Sequence, residues 1–454
     1  MKWSRYSRLF ESKRNGWLLF SAVSRTFLKV KDEEASILRQ IQEDPEGFDY
    51  SGVPMLYMQL RSLRILVEDG DDEKTYNINK MNWLASLYGS RDLLLTIAVT
   101  TSCNFDCSYC FEANHRGHLM SQEAEDCLMR FIKSYRADTV HLTWYGGEPL
   151  LAWDRIISIN RRLNDMDKPY TASMITNGYL MTEDKVKHLN ELRIGYLQIT
   201  LDGKKETHDT RRYLTGGGGT YDKILENIDL VMKSDFRGQL HIRVNVDGRN
   251  DEEFVYVYRL MQEKYPKDFG RRITVYPGFV RGAEHHADIG CYFDNVAQGE
   301  FIARMTETYN ITPLNLFPPQ ANVGCVMTRR NGYVVGPDAE LYQCWDDVGD
   351  PKKVVGSLTR FDNWDMGKIA EGMVGCSFLD DPECKECFYF PFCGGGCHRI
   401  RQNNLHSEKK MSSCTYFRGN LENLLELFYE RNQQMKKEAA QAEAQAKGSG
   451  EEKA

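Results

Sequence analysis

No stretch of this chain approaches the run of about 18 apolar residues that a membrane-spanning helix needs. Met1 to Arg14 is polar and basic, and the Leu18-Leu19-Phe20 run behind it is too short for the core of a secretory signal. An excess of basic charge is also missing. Lys and Arg number 58 against 65 Asp and Glu, a net charge of −7, which argues against general nucleic-acid binding. No internal repeat is present. The expectation is a soluble cytoplasmic protein that binds neither nucleic acid nor membrane. Its 454 residues suffice for two or three domains with cores of their own.

Cysteine is what the chain has in quantity. In a cytoplasmic protein, 13 cysteines are not a disulfide framework and point to metal or redox work. Ten of the 13 fall in two organised groups; Cys127, Cys291 and Cys376 stand apart. Cys127 lies on the apolar face of an expected helix with Ala124, Leu128, Phe131 and Ile132, so it reads as a buried thiol.

The first group, Cys103-Asn104-Phe105-Asp106-Cys107-Ser108-Tyr109-Cys110, follows the apolar run Leu93 to Val99. Three thiolates on one short loop can hold three irons of a [4Fe–4S] cluster and leave the fourth open to a small molecule. Half of a zinc site is the alternative, although zinc commonly takes paired CxxC units. The motif resembles the signature of the radical S-adenosylmethionine (SAM) superfamily. The resemblance implies that Trp144-Tyr145-Gly146-Gly147-Glu148-Pro149 corresponds to the GGE motif, with Glu148 on the methionine amine. It likewise implies that Tyr109, Asn177 of Thr176-Asn177-Gly178, Thr200 (where the family usually has Ser) and Arg212 contact SAM, Arg212 through the methionine carboxylate. His208-Asp209 reads as shaping its loop rather than as a metal or acid–base pair. No catalytic side chain is assigned.

Strand candidates begin near Leu93, Val140, Thr171, Tyr196, Leu240 and Ile273, with amphipathic segments between them. That alternation predicts an α/β fold, a parallel sheet curled into a partial (β/α)6 barrel over residues 93–305, with its site at the C-terminal strand ends.

The second group is Cys325, Cys344, Cys384, Cys387, Cys393, Cys397 and Cys414, within residues 306–420. It resembles the SPASM domain. The resemblance implies one auxiliary cluster on Cys384, Cys387, Cys393 and Cys414 and another on Cys325, Cys344 and Cys397, three [4Fe–4S] clusters in all. A two-zinc site is the alternative. Ala339 stands where the family usually has Gly. The first auxiliary site has three ligands, so it either keeps an iron open to a substrate thiolate or is completed by Cys291 or Cys376.

Residues 1–92 read as a separate winged-helix-like module. Strands lie at Trp17–Phe20 and Thr26–Val30, Asp32 caps a helix through Ala35, Leu38 and Ile41, and a second helix carries Leu56, Leu60 and Leu63. Ile65-Leu66-Val67 with Asp69 to Asp72 completes a β-wing. The order resembles the recognition element that holds leader peptides of ribosomally made precursors by strand addition; a plain stabilising extension is the alternative. Residues 421–454 read as a docking helix on Leu421, Leu424, Leu425 and Phe428, then a frayed or disordered tail from Lys436.

The resemblance implies a maturase that crosslinks a precursor peptide through a thioether or carbon–carbon bond, with a reductant such as flavodoxin or ferredoxin. One alternative is an anaerobic sulfatase-maturating enzyme, which has Asp directly after the second cysteine of that region; here Trp345 stands there, with Asp346 one further on. Another is a non-catalytic iron–sulfur or peptide-binding scaffold.

Overall fold

The computed structural model describes residues 1–451 except 90, 113–116, 281–291, 321–324, 361 and 409. Cys291 therefore lies outside the described residues.

Six parallel strands build the barrel wall: β6 (Asp92–Ala98), β7 (Thr139–Tyr145), β8 (Tyr170–Thr176), β9 (Ile194–Thr200), β10 (Gln239–Val246) and β11 (Ile273–Phe279). They follow five strands of the N-terminal module: β1 (Lys2–Trp3), β2 (Ser7–Ser12), β3 (Gly16–Ser21), β4 (Thr26–Lys29) and β5 (Leu66–Val67). Each of the six starts within two residues of its expected position, because runs such as Leu93-Leu94-Leu95 and Ile242-Arg243-Val244 are apolar on the buried side. Helices return the chain between them: α4 (Gln122–Ser134), α5 (Trp153–Asn164), α6 (Glu183–Lys187), α7 (Lys205–Arg211), α8 (Tyr221–Lys233) and α9 (Glu253–Lys264), with α10 (Asn295–Tyr309) after β11. Cys127 is buried on α4, as expected.

The sheet does not stop at the barrel. β12 (Gly332–Val335) pairs in parallel with β6, and β13 (Glu340–Tyr342) and β14 (Gly356–Ser357) extend it antiparallel. The cysteine-rich region is thus hydrogen-bonded to the strand that delivers the first cysteine loop. Ala339 turns β12 into β13 with φ of 62°, the left-handed conformation in which glycine avoids a Cβ penalty.

The N-terminal module holds α1 (Asp32–Glu43), α2 (Pro54–Ser62) and α3 (Asp71–Tyr88). Ala35, Leu38 and Ile41 are buried on α1 as expected, but Lys31 is the N-cap and Asp32 the first helical residue. Instead of a wing, β5 pairs with the N-terminal β1, and α3 starts at Asp71. Asp71, Asp72 and Glu73 favour that start because acidic groups complement the positive end of a helix. The β2–β3–β4 sheet has two apolar faces. Leu9 and Leu19 join a small core with Ala35, Leu38, Ile41 and Leu60. Phe10, Leu18 and Phe20 join the main core. On α3, Trp83 sits 4.6 Å from the Phe378 ring and 4.7 Å from Phe390. The module is built into the body on that side.

The C-terminal helix docks through Leu421, Leu424 and Leu425, as expected. Beyond Lys436, where a frayed helix or disorder is expected, it continues as helix to Glu451, through Ala, Glu, Gln and Lys, which are good helix formers, and then Gly448-Ser449-Gly450.

Candidate active site

The loop after β6 is held by backbone on both flanks. Asp106 and Ser108 donate N–H bonds to Tyr213 O (2.9 Å) and Arg211 O (3.1 Å), and Thr215 donates to Asn104 O (3.0 Å). The stretch after α7 therefore fixes Cys103, Cys107 and Cys110 at the C-terminal mouth of the barrel. Burial pushes all three thiols up, Cys110 to about 12, and for Cys103 the charge of Glu148 adds to the effect. Cys107 lies within electrostatic reach of both other thiols. A bound metal cluster would invert this preference and take the sulfurs as thiolates.

The two glycines of the next loop serve the protein's own backbone. A Cβ on Gly146 would lie 2.1 Å from Thr100 O, and one on Gly147 would lie 2.5 Å from Ser102 O. Gly147 N–H donates to Thr100 O at 3.1 Å and Glu148 N–H to Ser102 O at 2.9 Å. Close strand-end pairing, rather than ligand access alone, requires glycine here.

Glu148 is fully buried. One carboxylate oxygen accepts Leu150 N–H (3.0 Å) and the Thr176 hydroxyl (2.6 Å); the other accepts Asn177 N–H (2.7 Å). It ties β7 to β8, and the lone pairs it has left are those it could offer an amine. The Asn177 side-chain amide donates to Asn104 Oδ1 at 2.8 Å. Thr200 is buried at the end of β9.

Arg212 is buried, with Nη1 on the Tyr109 hydroxyl at 2.8 Å and its carbon 5.5 Å from the Phe105 ring centre. Its Nε and the Asn104 amide nitrogen are buried without hydrogen-bond partners. Such orphaned donors beside three thiols fit a zwitterionic cofactor carrying a carboxylate. His208 only shapes the loop, as expected. Asp202 N–H donates to its Nδ1 (3.0 Å), so the proton sits on Nε2 and goes to Thr220 Oγ1 (3.0 Å). Burial, with Arg212 and Arg211 nearby, pushes its pKa down to about 2.

Sequence reasoning missed Glu112, two residues after the cysteine motif. Its Oε2 is buried without a partner, and burial, with the charges of Asp346 and Glu148, pushes it up to about 7 against the opposing Tyr145 hydrogen bond. Trp345 stacks on Tyr145 with centroids 6.1 Å apart. Asp346 thus reaches the barrel mouth although it stands one residue late. No sequence signal marked Glu112, because its partners come from residues 33 and more than 200 positions away.

The cysteine-rich region brings its thiols together as two sets. Cys393 lies within electrostatic reach of Cys387 and Cys414, and Cys384 within reach of Cys393. Cys325 lies within reach of Cys344 and Cys397. Arg418 donates to Cys414 Sγ at 2.9 Å. Cys376 is buried close to Cys325, its thiol directed at Gly372 O (3.2 Å). Among the described residues, no three His, Cys, Asp or Glu side chains form a single-ion site.

Residues 97–261 match the radical SAM superfamily. The chain carries a radical SAM domain and is an enzyme. Over 347 residues it is 22% identical to a cysteine-type anaerobic sulfatase-maturating enzyme of Clostridium perfringens, spanning 70% of this chain and 92% of that one. A GTP 3′,8-cyclase of the same species is 31% identical over 170 residues, 36% of this chain and half of that one. The structure of native anSMEcpe with bound AdoMet and Cp18Cys peptide matches with a TM-score of 0.56 at 21% identity, covering 75% of this chain and 97% of that one. Streptococcus suis SuiB bound to precursor peptide SuiA matches with a TM-score of 0.51 at 14% identity, covering 91% of this chain and 99% of that one. At these identities the structural likeness is one of fold. A [4Fe–4S] cluster and SAM belong to this enzyme as its superfamily cofactors.

Proposed function

We propose that this enzyme modifies a ribosomally made precursor peptide, closing a thioether or carbon–carbon crosslink within it. The observation that carries this reading is coverage. The likeness to SuiB, whose structure holds a precursor peptide, extends over 91% of this chain, against 75% for the sulfatase-maturase structure. Most of this chain's N-terminal module is therefore available to the comparison with a precursor-binding protein.

In this reading Cys103, Cys107 and Cys110 hold the cluster, and Arg212, Asn177, Thr200, Tyr109 and the Gly146–Glu148 turn hold SAM. With the cluster and SAM bound there, the chemistry available would be one-electron, radical chemistry on the peptide. The protein binds and orients. Two auxiliary clusters sit on Cys384, Cys387, Cys393 and Cys414 and on Cys325, Cys344 and Cys397. A flavodoxin- or ferredoxin-like reductant supplies electrons. The leader segment adds to the edge of the β2–β3–β4 sheet. β4 supports this, since among the described residues it pairs only with β3.

A second reading, oxidation of a Cys or Ser to formylglycine, is favoured by the placement of Asp346 beside Glu112 and Tyr145. Co-expression of the enzyme with candidate precursor peptides, drawn from short open reading frames neighbouring its gene, separates the two. A crosslink gives a product two hydrogens lighter that resists hydrazide labelling. An aldehyde that takes the hydrazide supports the second reading and contradicts the first.

A further inference from the structure

Tyr109 lies between two cysteines of the cluster loop, and its hydroxyl is the meeting point of three elements. Arg212 Nη1 donates to it at 2.8 Å and Asn245 Nδ2 at 2.9 Å. With two donors on its oxygen, the phenolic proton has one destination, Asp202 Oδ2. Asp202 is fully buried at the end of β9, and its other oxygen takes Asn245 N–H at 2.7 Å. The hydroxyl therefore cannot rotate without losing a buried hydrogen bond, and its lone pair stays turned to Arg212.

Asp202 reaches Arg212 by a second route. Its own N–H fixes His208, His208 donates to Thr220, and Thr220 Oγ1 donates to Arg212 O at 2.7 Å. One residue thus governs both ends of Arg212, the guanidinium through Tyr109 and the carbonyl through Thr220. Its neighbour Arg211 pairs with Asp247 at 2.9 Å and also lies 4.0 Å from Asp202 Oδ2. Arg212 has no carboxylate within ion-pair distance among the described residues, and its Nε is buried and unpartnered. A buried guanidinium left with an unmet donor is built to receive an anion.

We propose that Asp202 and Asn245 are positioning residues for SAM binding, fixing the Tyr109 hydroxyl so that Arg212 presents its unmet donor edge to the methionine carboxylate. The inference rests on the reading of Arg212 as the carboxylate partner. Neither Asp202 nor Asn245 touches the cofactor in this arrangement; both act through Tyr109 and Arg212.

The test is SAM affinity of the anaerobically reconstituted holoenzyme by calorimetry, with the electron paramagnetic resonance signal of the reduced cluster recorded with and without SAM. Asp202→Asn should weaken SAM binding about tenfold, the scale of one hydrogen bond to a charged group, and blunt the SAM-induced change in the signal. Iron content should stay at the wild-type value. Asn245→Ser, which keeps the backbone bond to Asp202, should weaken binding by a smaller factor, and Tyr109→Phe by about the Asp202→Asn factor. Wild-type SAM affinity and spectra in Asp202→Asn overturn the proposal. Should Asp202→Asn fail to load iron, Asn245→Ser and Tyr109→Phe decide, and wild-type binding in both overturns it. Arg212→Gln tests the parent reading apart from this one: wild-type affinity there removes the carboxylate role whatever Asp202→Asn does.

Discussion

Gly147 and His208 show how much of this site is decided by single side chains. Both glycines of the Gly147 turn are tightly constrained, Gly146 by Thr100 O and Gly147 by Ser102 O. Gly147→Ala would drive a Cβ against backbone that cannot yield without moving the cysteine loop. We expect it to fold with a lower melting temperature and to lose most of its SAM-dependent cluster signal; a variant with wild-type spectra would show that the loop tolerates the shift. His208 gives a pH signature. Its folded pKa lies far below the ordinary value of about 6.5. Its neutral form therefore contributes stability above that ordinary pKa, and the contribution is lost as pH falls toward about 2. His208→Asn should flatten the fall in urea midpoint between about pH 6 and pH 4, since one proton fewer is taken up on unfolding. An unchanged slope would mean that His208 is already protonated in the folded state. The thiols were legible because their spacing is short and fixed; Glu148 and Arg212 were singled out only through the family resemblance. Glu112, Asp202 and Asn245 became visible as partners only when strands distant in sequence were brought side by side.

The barrel strands were legible because β6 to β11 are apolar runs at even intervals, and that pattern survives any detail of packing. α3 was not. Its buried residues Tyr76, Trp83 and Leu87 are interleaved with exposed Ile78, Met81 and Leu84, so no single apolar stripe marks it. β4 carries the prediction at this scale. Val30 N–H donates to Trp17 O, and antiparallel pairs alternate, so Leu28 faces β3 while the N–H groups of Phe27 and Lys29 point to the open edge. Lys29→Pro removes an outward donor and spares the β3 ladder. Precursor binding should fall at least tenfold by fluorescence anisotropy of a labelled precursor, with uncoupled SAM cleavage and melting temperature kept. Unchanged binding would show that the leader does not add to β4. Deleting the whole module is a poorer probe, because removing Trp83 and Phe20 would uncover Phe378, Phe390 and Phe392 in the main core.

Taken whole, the molecule joins three cysteine sets to one continuous scaffold. β12 lies beside β6, so the strand that presents Cys103 is hydrogen-bonded to the region that carries the other two cysteine sets. This continuity was not legible in the sequence, where periodicity fades after residue 310 and only the cysteine spacing speaks. Iron in three clusters is expected, with about one third of it lost when Cys103, Cys107 and Cys110 are replaced together by Ala. The most direct measurement is 5′-deoxyadenosine formation from SAM by the dithionite-reduced, anaerobically reconstituted protein, wild type beside that triple variant. The wild type should form 5′-deoxyadenosine and the variant none, although the variant keeps its remaining iron. No 5′-deoxyadenosine from iron-loaded wild type, or equal amounts from both proteins, would contradict this reading.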